Sequence, residues 1–422
     1  MIDVRQFVFK VLQKIGIRKG RASKGSHGTI FRYGAYFLCI VGLSNLLLVC
    51  YCVGQLKRCK RKQAATNQLT VALSEEVAWA LSGAPALGRF PTPKKLAGLP
   101  WADQEGIVLK TTNIQIRNVV APYNASILPS DEGFLLFFRY DIKHPSNHRY
   151  RHKGETPYKT HIAVAALDHH FVQTDTEFVE LSALEGGEDP RSVKVGEKLY
   201  LFYNKGEEEN PKRRIMHLAS LDPKTLSVNY TTKLDRGLQP IEKNWAPFAH
   251  QGEDGQLALY CEYNVSPHQV LAVEDTQAPR YISCGCSDRR SDLELLWNEE
   301  WGPIRGGTGA QKIGDEYLGF FHSAFLDDKG ISWYVMGAYT FEGKAPFRIT
   351  RISKHPILFQ GIYDAPIRNT ARAKLRAIFP CGFAIESCQG KQRLHVACGE
   401  NDSSVKVVTM DAEALLRSLK SP

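Results

Sequence analysis

The sequence predicts an all-β protein, a five-bladed β-propeller carried behind an N-terminal transmembrane helix. Three observations predict it: a strand unit that recurs five times, a near absence of helical periodicity between the recurrences, and a long uncharged run ahead of them.

The uncharged run comes first in the chain. Residues 33–56, YGAYFLCIVGLSNLLLVCYCVGQL, contain no Asp, Glu, Lys or Arg. At about 1.5 Å per residue, a helix of that length crosses a hydrocarbon core of about 30 Å. Tyr stands near both ends, as it does at membrane interfaces. Arg32 and the Lys57-Arg58 pair close the run too sharply for a buried core helix, and no small-residue cleavage site follows a short apolar core as in a signal peptide. The run reads as a single-pass anchor that holds the protein in a membrane. Basic residues flank it equally, so the positive-inside rule leaves its orientation open. Upstream, Val4, Phe7, Val8, Val11, Leu12 and Ile15 recur at helical spacing among Arg5, Lys10 and Lys14. That pattern predicts a basic amphipathic segment over 1–32, lying on an anionic membrane face. Residues 57–99 read as a juxtamembrane linker with a short helix around Leu73–Leu81, and residues 100–422 as the propeller.

Charge follows the same division. The first 62 residues hold 13 Lys or Arg and a single acid, Asp3, which leaves 41 basic and 43 acidic residues for the remainder. The large domain is therefore close to neutral. Nucleic-acid binders carry their basic surface on the folded domain, so no nucleic-acid partner is expected. Beyond the anchor, the cysteines from Cys261 to Cys398 lack metal-ligand spacing and read as buried thiols, so no metal is expected.

The repeat has a period of about 65 residues. A polar turn followed by an apolar strand with a polar end appears as DEGFLLFFRYD from Asp131, GEKLYLFYNKG from Gly196, DGQLALYCEYN from Asp254, DEYLGFFHSA from Asp315 and KQRLHVACGEND from Lys391. A strand with a distinctive polar entry precedes each copy: YNASILPS, EDPRSVKV, KNWAPFAH, RGGTGAQKI and FPCGFAIES. A third strand follows each, several of them ending on an acid, as at Asp168, Asp222 and Asp275. Such a unit cannot bury both faces alone and must stack on its neighbours around an axis, which makes five units a five-bladed propeller. The stretch from Ile107, IVLKTTNIQI, is expected to supply the outer strand that closes the ring.

That architecture gathers the polar entries at one mouth of the central channel. The entries bring Asn124, Asp189, Arg191, Lys243, Asn244 and Thr308. The ends of the second strands bring Arg139, Glu262, His322 and Asp402. Core packing does not explain charged groups recurring at equivalent positions of successive units; a ligand pocket does, and salt bridges from blade to blade are the alternative for some of them.

At these residues the chain resembles a known family. EDPR at Glu188–Arg191, FPCG at Phe379–Gly382, RGGTGA at Arg305–Ala310 followed by the FFH strand end, and GEND at Gly399–Asp402 resemble the glycoside hydrolase family 130 β-mannoside phosphorylases and their five-bladed relatives. The segments EKNWAPF and RGGTGA depart from the standard forms, as in a divergent member. The resemblance implies a carbohydrate substrate, inorganic phosphate as co-substrate and no other cofactor. It implies Asp189 as the proton donor, acting through a sugar hydroxyl while phosphate attacks the anomeric carbon. A donor of this kind needs a carboxyl held protonated near neutral pH. By position, Arg139, Arg191, Lys243, Asn244 and His322 are the phosphate-binding candidates, forked guanidinium groups suiting phosphate geometry. Asn124, Glu262, Thr308 and Asp402 are the sugar-binding candidates. Hydrolases use two carboxylates flanking the bond, and relatives built that way carry Asp where this chain has Asn124, which favours phosphate over water as the nucleophile. Two other readings stand beside this one: a membrane-anchored glycosyltransferase using a sugar nucleotide, and a sugar-binding propeller without catalysis.

Overall fold

The computed structural model describes residues 86–87 and 90–421, apart from 144–157, 208–209, 211–212, 237–238, 253, 287–289, 368–372 and 389. The expected anchor, the amphipathic segment and the helix around Leu73–Leu81 lie outside the described residues. Among the described residues no helix is long and apolar enough to cross a membrane.

The compact unit Gly83–Pro422 is all-β and propeller-like. A two-residue pair, β1 (Ala86–Leu87) and β2 (Phe90–Pro91), precedes the body. The strand β3 (Val108–Ile114) comes next, followed by a sheet of β4 (Tyr123–Ser130), β5 (Gly133–Lys143), β6 (Tyr158–Leu167) and β7 (Val179–Glu180). The second sheet holds β8 (Gly187–Val195), β9 (Lys198–Gly206), β10 (Arg214–Leu221) and β11 (Val228–Leu234). The third holds β12 (Ala246–Gln251), β13 (Leu257–Asn264), β14 (Gln269–Val273) and β15 (Tyr281–Cys286). After the helix α1 (Asp292–Trp301), the fourth group is β16 (Arg305–Gly306) and β17 (Gln311–Ile313) on β18 (Glu316–Leu326), then β19 (Ser332–Glu342) and β20 (Ile349–Ile352). The fifth is β21 (Leu375–Cys388), β22 (Lys391–Glu400) and β23 (Ser404–Asp411), followed by helix α2 (Ala412–Ser418).

Within each module the strands run antiparallel in chain order. The innermost strands touch in sequence around a ring, β21 on β4, β4 on β8 and β8 on β12, with β13 meeting β16 and β18 meeting β21. The outer strand of the fifth module is β3, which pairs antiparallel with β23 from Val405↔Ile114 to Met410↔Val108. The first strand of the body thus closes its last module, as expected from the stretch at Ile107. One join departs from the repeat. Ser332–Tyr334 of β19 pair in parallel with Leu375–Ala377 of β21 and fuse the fourth and fifth modules into one sheet.

The apolar clusters explain why the modules must stack. One joins Phe134, Leu136 and Phe138 of the first module to Ala384, Val405 and Val407 of the fifth. Another joins Phe137, Ile162 and Val164 to Leu199, Leu201 and Tyr203 of the second. A third joins Phe202, Met216 and Leu218 to Trp245, Cys261 and Leu271 of the third. Each sheet therefore buries its apolar faces only against its neighbours.

Two expectations need correction. The segment up to residue 99 was expected to be linker, yet Phe90 and Leu96 are buried in the largest core cluster. Helical periodicity is expected almost to vanish between the linker and Ala412, yet α1 interrupts the sheets there. Its start carries a capping box: the Ser291 side chain accepts from Glu294 N, and the Glu294 side chain accepts from Ser291 N. Trp297 and Trp301 bury its inner face.

Candidate active site

The innermost strands bend where the site lies. β4 slips register against β5 between Tyr123 and Ser126, and β8 slips against β9 between Glu188 and Arg191. Bulges of this kind re-aim side chains. Near each slip one residue takes a left-handed backbone, Asn124 (φ 47°) and Asp189 (φ 56°), and Asn244 (φ 65°) does so just ahead of β12. Asn and Asp tolerate this conformation better than other side chains. YNAS, EDPR and KNWAP are thus one backbone device repeated on three modules. After β22, Asn401 (φ 52°) and Asp402 (φ 49°) turn the chain back toward the same mouth.

These elements surround a polar cavity of about 170 Å³. It collects Asn124, Arg139, Asp189, Lys243, Asn244, His322 and Asp402 from the sequence-derived set, and adds Glu188, Arg305, Tyr334 and Phe379. Asp189 sits at its centre. Oδ1 accepts from Asn124 Nδ2 at 2.8 Å and from Arg139 Nη1 at 3.4 Å, and Oδ2 accepts from Asn204 Nδ2 at 3.4 Å. Arg139 spreads its fork over both acids of EDPR, with Nη2 3.3 Å from Glu188. It lies 4.7 Å over the Tyr123 ring, whose hydroxyl donates to Asp141 at 2.8 Å. Glu188 also accepts from Arg214 Nη2 at 2.6 Å and lies 3.8 Å from Lys243 Nζ.

The charges do not match the proton-donor expectation in this state. Burial alone would raise the Asp189 carboxyl, but Arg139, Lys243 and Arg191, with the Asn124 hydrogen bond, outweigh it and push it down to about 2. Asp189 is therefore a carboxylate here, a proton acceptor rather than a charged donor. Burial likewise acts to lower Arg139, and the surrounding anionic groups more than reverse it, so that guanidinium stays charged. Burial lowers Lys243 from its ordinary value, against the pull of Asp189 and Glu188. His322 is driven well below the usual imidazole range by burial first and by Arg191 and Arg305 second. It is a neutral ring between Tyr334, stacked at 5.8 Å, and Phe379, edge-on at 4.4 Å, with Nδ1 unpartnered among the described residues. As a phosphate-binding candidate, His322 therefore offers a neutral ring rather than a cation.

Three predicted residues do not reach the cavity. Arg191 is fully buried and donates to Gly307 O at 2.6 Å, Asn244 Oδ1 at 3.1 Å, and Gly306 O and Asp189 O at 3.3 Å. Four of its five N–H groups are engaged in tying the second, third and fourth modules. Glu262 lies between the third and fourth modules, held by Tyr339 at 2.5 Å and His268 at 2.8 Å. Thr308 accepts from Phe320 N at 3.0 Å and is fully buried. Among the described residues no group of His, Cys, Asp or Glu is arranged to hold a metal ion.

Sequence reading missed Arg214 and Tyr334 as parts of the site, while Asn204, at a second-strand end, and Phe379, in the FPCG entry, were in view. Glu188 was in view as the neighbour of Asp189, and Arg305 stood in the RGGTGA entry. Arg214 gave no signal, because only the register of β10 on β9, Arg214↔Gly206, brings it to Glu188.

No family model matches the chain, and no curated protein does. Among solved structures it is similar to a mannose phosphorylase from Leishmania mexicana solved with a phosphate ion, at 12% identity and a TM-score of 0.46 over 74% of this chain and 91% of that one. A β-1,2-mannobiose phosphorylase from Listeria innocua matches at 14% identity and 0.45 over 75% and 98%. A GDP-Man-dependent mannosyltransferase from Leishmania mexicana matches at 10% and 0.45 over 74% and 92%. What the cavity does chemically is read from its own residues.

Proposed function

We propose that this chain is a carbohydrate-active enzyme of the glycoside phosphorylase type, built on a five-bladed propeller and held to a membrane by residues 33–56. β-Mannosides are the proposed substrate class and inorganic phosphate the co-substrate. The observation that carries the reading is the pairing of one central carboxylate, Asp189, with Arg139, Lys243 and Arg305 around a cavity on the scale of a single sugar ring.

In phosphorolysis the bond from the anomeric carbon to the leaving sugar oxygen breaks and a bond from that carbon to phosphate forms. The leaving oxygen takes a proton from Asp189, through a sugar hydroxyl or directly, after the carboxylate has itself taken that proton from the incoming dihydrogen phosphate. In synthesis the same atoms move backward, and Asp189 accepts the proton of the acceptor hydroxyl. The carboxylate form of Asp189 is the one the synthetic direction needs, which favours a second reading: glycosyl transfer from a sugar 1-phosphate or sugar nucleotide. Arg139, Lys243 and Arg305 serve either donor, since both carry phosphate. Asn124, Asn244, His322 and Asp402 present neutral and anionic partners for sugar hydroxyls.

The test is a two-way assay of the purified full-length chain. Mannosides with phosphate should release sugar 1-phosphate, and sugar 1-phosphate with an acceptor should return the glycoside. Turnover only with a nucleotide sugar would replace phosphorolysis by transfer, and no turnover with any donor would leave a binding protein. For the anchor, protease treatment of sealed vesicles should spare or destroy the propeller as a unit, whereas full-length chain recovered free of membrane without detergent would contradict it.

A further inference from the structure

Glu188 stands where three cations meet. Arg139 reaches it from β5, Arg214 from β10 and Lys243 from the loop before β12, at 3.3, 2.6 and 3.8 Å. Its side chain is 14% exposed and lines the cavity, so it is neither a surface pair nor a sealed core pair. An anion entering the cavity needs the charges of Arg139 and Lys243, with which Glu188 is already ion-paired. The charges of the lining are also balanced, with Arg139, Lys243 and Arg305 against Glu188, Asp189 and Asp402. A phosphate group bound there meets three carboxylates already set against the lining cations, in a site where water screens poorly.

Resting on the phosphate-using function proposed above, we infer that Glu188 is the specificity-determining residue of the anion subsite, an internal carboxylate that competes with the ligand phosphate for Arg139 and Lys243. With the cavity free of anion it keeps the cations in place. When an anion enters, Glu188 gives up these contacts, while Arg214 retains it from behind. The groups facing this pair are Arg139 and Asp141 on β5, Arg191 on β8, Arg214 on β10, Lys243, Arg305 on β16, His322 on β18, Cys381 on β21 and Asp402 after β22. Removing the carboxylate without changing its shape should strengthen anion binding, the reverse of what loss of a ligand-holding residue does.

The test is calorimetric titration of the full-length chain in detergent with sulfate, which stays a dianion across the working pH range, for wild type and Glu188→Gln. The glutamine keeps an oxygen for Arg214. It should bind sulfate at least about tenfold more tightly than wild type. Equal or weaker binding by the folded variant would overturn the inference and make Glu188 a tether for the cations. Should that variant fail to fold, Glu188→Asp decides: it keeps the charge but shortens its reach toward Arg139 and Lys243, and it should also bind sulfate more tightly than wild type, whereas equal or weaker binding overturns the competition. If neither wild type nor the variant binds sulfate or phosphate, the anion-site reading itself falls, and this inference with it.

Discussion

Arg139 on the first module and Asp189 on the second face each other with Nη1 and Oδ1 3.4 Å apart, and the other arm of the same guanidinium reaches Glu188 at 3.3 Å. One fork thus holds two adjacent carboxylates across the seam between modules, and stability should register it through pH. The Asp189 carboxyl is pushed from 3.8 to about 2 in the fold, burial opposing and the cations prevailing. Its stabilisation is complete above about pH 4 and disappears as pH falls toward about 2, a contribution of about 2 kcal/mol. Denaturant unfolding across that window should show the slope in wild type and a flatter profile in Asp189→Asn. Identical profiles would mean that Asp189 is not held ionised.

Arg191 should matter for the fold rather than for the ligand. Replacing it with Met leaves the carbonyls of Gly306 and Gly307 and the Asn244 side chain without their buried donor. The expected loss is about 3 kcal/mol or more, measured by unfolding. A variant of normal stability that has lost anion binding would return Arg191 to the ligand site.

Gly399 touches the site without entering it. A Cβ built there would stand 1.8 Å from Asn124 Oδ1 and 2.7 Å from Asn124 N. Gly399→Ala should therefore displace Asn124, the strongest neutral partner of Asp189, and lower turnover by at least about tenfold. Unchanged turnover in a folded variant would show that Asn124 does not orient Asp189.

Much of this was legible in the sequence, for physical reasons. The recurring turn and strand units read correctly because each sheet must expose a repeating apolar face to its neighbour. The outer strand at Val108–Ile114 read correctly because its alternation had no other module to join. Asn124, Asp189 and Asn244 were placed together because short polar residues at strand entries are the ones that accept a left-handed backbone. Arg191 and Glu262 misled because a buried charge looks alike in sequence whether it faces a ligand or a carbonyl. The ionisation of Asp189 was missed because it depends on charges that Arg139 on β5 and Lys243 before β12 bring to it, which spacing along the chain does not encode.

His322 supplies a second pH signature. Its proton affinity in the fold is lowered by burial and by Arg191 and Arg305, so folding favours the neutral ring. The resulting stability is full above the unfolded value of about 6.5 and is lost as pH falls below it. His322→Gln should remove that slope below about pH 6.5. A ring nitrogen titrating near 6.5 by NMR would contradict the assignment of a neutral His322.

The most direct measurement is turnover and thermal melting on one preparation of Asp189→Asn, with sugar 1-phosphate and acceptor supplied as substrates. The substitution keeps the shape and removes the group that exchanges a proton. Turnover should fall by about 10²–10⁴-fold while the variant still melts cooperatively and still binds the sugar. A folded Asp189→Asn chain that turns over at the wild-type rate would contradict the role of Asp189 as the proton-exchanging group of this site.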